Sequence, residues 1–301
     1  MSDSLLTRHV LPGNRVRCPE GRWELAFGYP HPSLGPGVLS YRGFHCAPGS
    51  VRRRLGIPCG LATLVLGFGE ALRISPVGAP HRARTVVSLL SPPNTSPALV
   101  EHTGGIRAVE VVLAPWAAFE LFGVALDDLP DPGAEPADLL GLRVHRLSEQ
   151  LAQAPGWPAR FAVLDQFLLR CRREGRLASE RVVAAWQRLE QSRGRVEITA
   201  LAESVCWSQR QIERKFGQQV GLTPKRLARV LRLQHAAALL SAGHRPGEAA
   251  SICGFYDQAH LTREFTALTA RSPLRFIAEH QSGEGSADRA AGRITSILQE
   301  G

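Results

Sequence analysis

Short apolar runs separated by turn-forming residues mark the first part of the chain. Leu61 to Phe68, Thr85 to Leu90 and Val109 to Leu113 are each long enough for one strand, and Ser91-Pro92-Pro93-Asn94 interrupts them as a turn. From about residue 137 the apolar positions fall three and four apart instead. Leu139, Leu142, Leu147 and Leu151, then Phe161, Leu164, Phe167 and Leu168, line helix faces that would close a β-rich domain. Gly175 is a plausible helix stop, and Val182, Val183, Trp186 and Leu189 begin a new helical stripe after Ser179. The expected fold class is α+β: a β-rich N-terminal domain closed by helices (1–175), then an all-α domain (176–280). Beyond residue 281 the chain turns small and polar (Gln281-Ser282-Gly283-Glu284-Gly285-Ser286), which reads as a flexible tail over 281–301.

Within the helical domain one unit occurs twice. Thr199 can cap a short helix with Leu201, Ala202 and Val205 inward; Cys206-Trp207 forms a turn; Ser208, with Gln211 at capping-box spacing, opens a second helix buried through Ile212 and Phe216. The second copy has Ala249, Ala250 and Cys253, a turn at Gly254-Phe255-Tyr256, a cap at Asp257, and the buried pair Leu261 and Phe265. The exits correspond as well, since Phe216 precedes Gly221 and Pro224 at the offsets at which Phe265 precedes Ala270 and Pro273. Between the copies Thr223-Pro224 caps a longer helix through Leu227, Leu231, Ala238 and Leu240 to Gly243. Its ~18 residues span ~27 Å at ~1.5 Å each.

Two short helices joined by a tight turn, the second presenting donors, suit a helix-turn-helix that places its second helix in a major groove. The outward residues are Gln209, Arg210, Glu213 and Arg214 in the first unit and Gln258, Ala259, His260, Thr262 and Arg263 in the second. A helical repeat used only for protein contact is the competing reading, and the matching caps, apolar pairs and exits weigh against it.

Charge sharpens the picture. The net charge is +9, from 36 Lys+Arg against 27 Asp+Glu, and Lys215 and Lys225 are the only lysines. Residues 176–280 hold 16 basic and 9 acidic side chains, against 18 and 15 in residues 1–175. An arginine-rich segment suits a polyanion such as DNA, RNA or an anionic membrane, with ordinary surface charge as the alternative. The longest nearly apolar run, Leu61 to Gly69, is too short to span a bilayer. The first residues lack the pattern of a secretory signal, so the cytoplasm, with association to the nucleoid, is the expected compartment.

Residues from about 179 to 280 resemble the DNA-binding domain of the AraC/XylS family of bacterial transcription regulators. The resemblance is carried by Leu201-Ala202, by Ser208 with Ile212 and Phe216, by Gly221 with Pro224, by Gly254 through Phe265 without a gap, and by Ser272-Pro273. Cys206 and Ala270 depart from it, standing where the family often or usually has Gly and where a positive φ is favoured. The resemblance implies double-stranded DNA as the partner and major-groove contacts by Arg210, Glu213 and Arg214 and by Gln258, Ala259, His260, Thr262 and Arg263. Arg210, Arg214 and Arg263 suit guanine, because a guanidinium can bond O6 and N7 together, and Glu213 suits cytosine or the orientation of an arginine. Arg226, Arg229 and Arg232 read as phosphate or surface charges.

The family implies a first domain that senses a small-molecule effector or forms a homodimer, and RNA polymerase as a further candidate partner of an activator. Residues 1–175 look similar to N-terminal regions of actinobacterial members, through Pro58 to Leu66 and Trp157-Pro158-Ala159-Arg160-Phe161, without naming an effector. A regulator whose first domain only dimerises is one alternative, and an enzyme fused to a DNA-binding module is another. The latter needs a metal-binding cysteine cluster and a Pro-Cys-His-Arg nucleophile, and neither motif is in the sequence. The six cysteines never form CxxC, and His31, His45, His81 and His102 include no HxH, so no metal, cofactor or catalytic residue is expected. Arg52-Arg53-Arg54 reads as a solvated strand end or turn rather than an anion site. Trp23, Trp116, Trp157, Trp186 and Trp207 read as packing residues.

Overall fold

The computed structural model describes residues 15–17, 23–49, 52–281 and 287–299. Two six-stranded sheets build the first domain. One has the order β1 (Arg15–Arg17), β2 (Trp23–Gly28), β3 (Val38–Cys46), β10 (Arg107–Leu113), β5 (Ala62–Gly67), β8 (Leu89–Ser91). The other runs β11 (Ala287–Ala290), β12 (Arg293–Gln299), β4 (Arg52–Gly56), β9 (Ala98–His102), β6 (Leu72–Pro76), β7 (Arg84–Val86).

Alternation along each strand decides which face is covered. In β10 Val109 and Val111 are fully buried, and with Tyr41, Leu64 and Leu66 they form the core under three helices. These are α1 (Pro115–Phe122), α3 (Leu142–Gln153) and α4 (Trp157–Glu174), with the short α2 (Pro136–Leu140) between the first two in the chain. They contribute Ala118, Leu121, Leu147, Leu151, Leu164 and Leu168, and each buried leucine is worth roughly 1.5 to 3 kcal/mol. On the opposite face Glu110 pairs with Arg42, its neighbour across the β3–β10 ladder, and Arg42 also donates to Thr295 Oγ1 of the second sheet at 3.5 Å. A buried ion pair therefore fills part of the space between the sheets.

The run Thr85 to Leu90 divides between two sheets, because β7 pairs with β6 and β8 with β5. The intervening Ser88 turns its hydroxyl inward to accept the Gly67 amide at 3.1 Å. Arg52, Arg53 and Arg54 lie on β4, where Arg52 covers Trp23, Arg53 pairs with Glu101 and Arg54 donates to Ser296. Trp116 and Trp157 are buried and Trp23, Trp186 and Trp207 half-buried, all in packing roles. Of the cysteines, Cys46, Cys171 and Cys253 are buried, Cys59 is half-buried and Cys206 is exposed, while Cys18 lies outside the described residues.

Helix α4 ends at Glu174, and the connector is fastened to Glu120, whose carbonyl accepts from Arg176 and whose carboxylate accepts from Ala178. The helical domain then runs α5 (Glu180–Gln191), α6 (Ile198–Ser204), α7 (Gln209–Val220), α8 (Pro224–Ser241), α9 (Pro246–Ile252), α10 (Gln258–Thr269) and α11 (Pro273–Gln281). None of the described helices is long and apolar enough to cross a membrane.

The expectation of a flexible tail over 281–301 is corrected. Residues 287–299 form a hairpin whose β12 adds to β4 of the first domain, with Ile297 opposite Leu55. Ile294 and Ile297 are buried together with Ile57 against Leu233, Ala236, Leu240 and Phe276. Gln234, on α8, locks this junction: its amide nitrogen donates to the Pro58 carbonyl (2.7 Å) and the Ile294 carbonyl (2.9 Å), and its oxygen accepts from the Ile294 amide (3.0 Å). Both N–H donors and the carbonyl oxygen of a buried amide are thereby engaged between three segments of the chain.

Candidate nucleic-acid interface

Each unit is assembled by its own local signals. Ser208 forms a capping box with Gln211, the Gln211 amide donating to Ser208 Oγ at 3.3 Å and the Ser208 amide to Gln211 Oε1 at 2.9 Å. Asp257 caps α10 by accepting the His260 amide at 2.6 Å, and Thr223 caps α8 with Pro224 in the first turn. The first helix of unit one starts at Ile198 with Glu197 before it, so Thr199 lies inside the helix and is not its cap. Ile212, Phe216, Leu261 and Phe265 are all fully buried.

The sharp turns and exits require left-handed backbone. Gly221 ends α7 at φ 84° and Gly254 turns the second unit at φ 72°, while their counterparts Ala270 and Cys206 hold φ 53° each with a side chain. The departures from Gly read in the sequence therefore sit on strained positions.

On α7, Gln209, Arg210, Glu213 and Arg214 are exposed. The other end of the helix is covered by the first domain: a Cβ on Gly217 would lie 3.2 Å from Asp127 Oδ2, and one on Gly221 would lie 3.1 Å from Leu126 and 3.3 Å from Pro92. Only the N-terminal half of α7 is open to enter a groove, which is the half that helix-turn-helix readers use. On α10, Gln258, Ala259 and Arg263 are exposed, but His260 and Thr262 are half-buried and already engaged. His260 Nδ1 accepts the Tyr256 amide at 3.3 Å with its ring edge-on to Phe255, and the Thr262 hydroxyl donates to the Gln258 carbonyl at 2.9 Å.

The arginines read as phosphate contacts are placed differently. Arg229 is held by Glu264 through Nε (2.7 Å) and Nη2 (3.3 Å), an ion pair between α8 and α10. Arg232 lies over the Phe255 ring with its Nε buried and unpartnered, and Arg226 reaches Thr95 of the first domain. Their partners are up to 131 residues distant in sequence and left no local signal.

Two clefts flank this architecture. One, of about 230 Å³, lies between the first sheet and α4 and is lined by Glu24, His45, Phe68, Arg107, Trp157 and Arg160. The Arg160 guanidinium is stacked between Phe68 and Trp157, 5.3 and 4.8 Å from their ring centres. The other, of about 480 Å³, is formed by Gln191, Ser192, Arg193, Arg195, Val196 and His235. Among the described residues no three His, Cys, Asp or Glu side chains converge as metal ligands.

Residues 201–279 match a family model described as a helix-turn-helix domain. The chain is 38% identical over 66 residues to YbfI, an uncharacterized HTH-type transcriptional regulator of Bacillus subtilis (strain 168); the match takes in 22% of this chain and about a quarter (24%) of that protein. Among solved structures, a probable AraC family transcriptional regulator from Rhodopseudomonas palustris is similar at 27% identity and a TM-score of 0.31, covering 34% of this chain and 98% of that one. ToxT from Vibrio cholerae is similar at 8% identity and a TM-score of 0.43, covering 80% and 98%.

Proposed function

We propose that the chain, whose residues 201–279 match a helix-turn-helix domain, is a sequence-specific transcription regulator of the AraC type reading double-stranded DNA with α7 and α10 in two adjacent major-groove segments. The observation that carries this reading is the pair of capped helices with exposed polar N-terminal faces, joined by the 18-residue α8. A helix of that length spans ~27 Å, close to the ~34 Å between successive major-groove faces on one side of B-DNA. Arg210, Arg214 and Arg263 take guanine through bidentate contacts, Glu213 selects cytosine or orients an arginine, and Gln258 suits adenine. Ala259 offers a methyl group to thymine. Thr262 and His260, whose groups are bonded within the unit, contribute less.

The first domain acts as the sensor. The cleft beside Trp157 and Arg160 is the place for a small-molecule effector, since it combines aromatic walls with charged groups on a rigid sheet. A thermal-shift screen of the full chain, repeated with Trp157→Ala, tests this part: ligands that stabilise only the native cleft support it, and a domain that no ligand stabilises leaves dimerisation as its role.

The DNA reading is tested by quantitative binding to operators selected from random DNA, then re-spaced. One monomer should give an asymmetric footprint on one DNA face. Inserting ~5 bp between the segments turns one of them half a turn away and should abolish the second contact, unless the DNA bends. Equal affinity for every spacing would leave α7 as the only reader and remove Gln258, Ala259, His260, Thr262 and Arg263 from the interface.

A further inference from the structure

The phosphate arginines expected on α8 are held by protein groups, yet a different set of cations stands unpaired. The loop after α5 carries Arg193 and Arg195, both exposed, and among the described residues neither guanidinium has a carboxylate partner. Arg193 holds a left-handed φ of 51° beside Gly194 at 75°, which presses the loop onto the Ala228 carbonyl of α8. Its Nη1 meets His235 Nε2 at 2.5 Å. Burial, together with the charges of Arg193 and Arg195, holds the His235 imidazole below its ordinary range, so the ring is neutral and accepts from Arg193. Arg195 lies against the Gly254 turn, three residues before the cap of α10.

The cleft these residues line thus joins the entry of unit one to the turn of unit two. A DNA strand passing from one major-groove segment to the next must run its phosphates between the two readers.

We propose that the cleft formed by Arg193, Arg195 and His235 is a phosphate-binding site, occupied by the DNA backbone where it crosses between the two units. Fork-shaped guanidiniums match phosphate oxygens, and the neutral imidazole leaves Arg193 charged and oriented by a hydrogen bond. The same chemistry would accept a free phosphate, so the source is decided by experiment. The DNA source rests on the function proposed above, whereas the site itself does not.

The test compares wild type with Arg193→Gly, which removes the guanidinium at a position where Gly is conformationally favoured, and with Arg195→Gln; Arg195→Lys serves as the charge-retaining control. Binding to specific and scrambled DNA is measured from low to high salt, and thermal stability is measured with added inorganic phosphate. If the backbone occupies the cleft, each neutral variant lowers the salt slope by about one and weakens binding about eightfold at ~0.1 M salt, with base preference unchanged and Arg195→Lys near wild type. If the slope holds but saturable stabilisation by inorganic phosphate is lost in the variants, the site stands with a free phosphate as its ligand. Unchanged slope and unchanged phosphate response overturn the proposal. Should the wild type bind no DNA at all, the regulator reading fails and the phosphate titration alone decides the cleft.

Discussion

The two helix-turn-helix units share their plan and differ in where they carry strain and in what covers them. Unit one has Gly at its exit (Gly221) and a strained Cys206 in its turn; unit two has Gly in its turn (Gly254) and a strained Ala270 at its exit. Unit one is walled by the first domain through Leu126, Asp127 and Pro92, whereas unit two shares its core with Ile57 and the hairpin residues Ile294 and Ile297. Their outward faces diverge too: on α7 Gln209, Arg210, Glu213 and Arg214 are all exposed, but on α10 Glu264 is tied to Arg229 and the His260 and Thr262 groups serve the turn and the helix. On the function proposed above, the two units would be readers of unequal capacity, with unit one carrying more of the sequence discrimination.

The strongest way to break this comparison is at the cores. Phe216→Ala and Phe265→Ala should each cost about 3 to 5 kcal/mol. Because Phe265 belongs to the cluster that holds Ile57 and Ile294, its loss should also loosen the hairpin, read as faster hydrogen exchange at the Ile294 amide; Phe216→Ala should leave that amide protected. Equal protection in both variants would mean that unit two is not coupled to the first domain.

Discrimination is the next test. Arg210→Ala and Arg214→Ala should each lose about 1 to 3 kcal/mol of preference at the bases they contact, while Arg263→Ala should alter only the segment read by unit two. Competition binding against single-base operator variants measures both, and a larger loss from Arg263→Ala would reverse the ranking of the readers.

The smallest effect sharpens the comparison most directly. Cys206→Gly and Ala270→Gly should each stabilise by about 0.5 to 1 kcal/mol, the left-handed penalty less the greater freedom of Gly in the unfolded chain. Gly221→Ala and Gly254→Ala should each destabilise by a similar amount. Chemical denaturation of the four variants would show whether strain at opposite ends of the two units is energetically equivalent.

What the sequence made legible was local. Ser208 with Gln211, Asp257, and Thr223-Pro224 announce helix starts through hydrogen bonds that span three residues, and Ile212, Phe216, Leu261 and Phe265 follow from helical period alone. The left-handed positions at Cys206 and Ala270 were legible only through the resemblance, which often or usually has Gly there. What escaped depends on partners far along the chain. Arg229 looks like a surface cation until Glu264, 35 residues on, is brought beside it. The cleft at Arg193 exists only because its loop is folded against α8 and the Gly254 turn. In the hairpin strand β12, Ile294 and Ile297 stand three apart, a spacing that a regular strand would put on opposite faces; their shared burial follows from the register shift between them and from β4 and Gln234.

The strand addition at Gln234 has a consequence for the order in which the molecule can fold. The bond from Arg54 to Ser296 joins residues 242 apart, so the second sheet is a discontinuous structure with the entire helical domain inserted between two of its neighbouring strands. Closing so long a loop adds only slowly growing entropy, but it places a non-local contact at the heart of both halves. During synthesis the β4 edge stays open, with its backbone groups unpaired, until the helices have been made and β12 arrives. The first domain therefore reaches its finished form only on a chain that already contains both helix-turn-helix units.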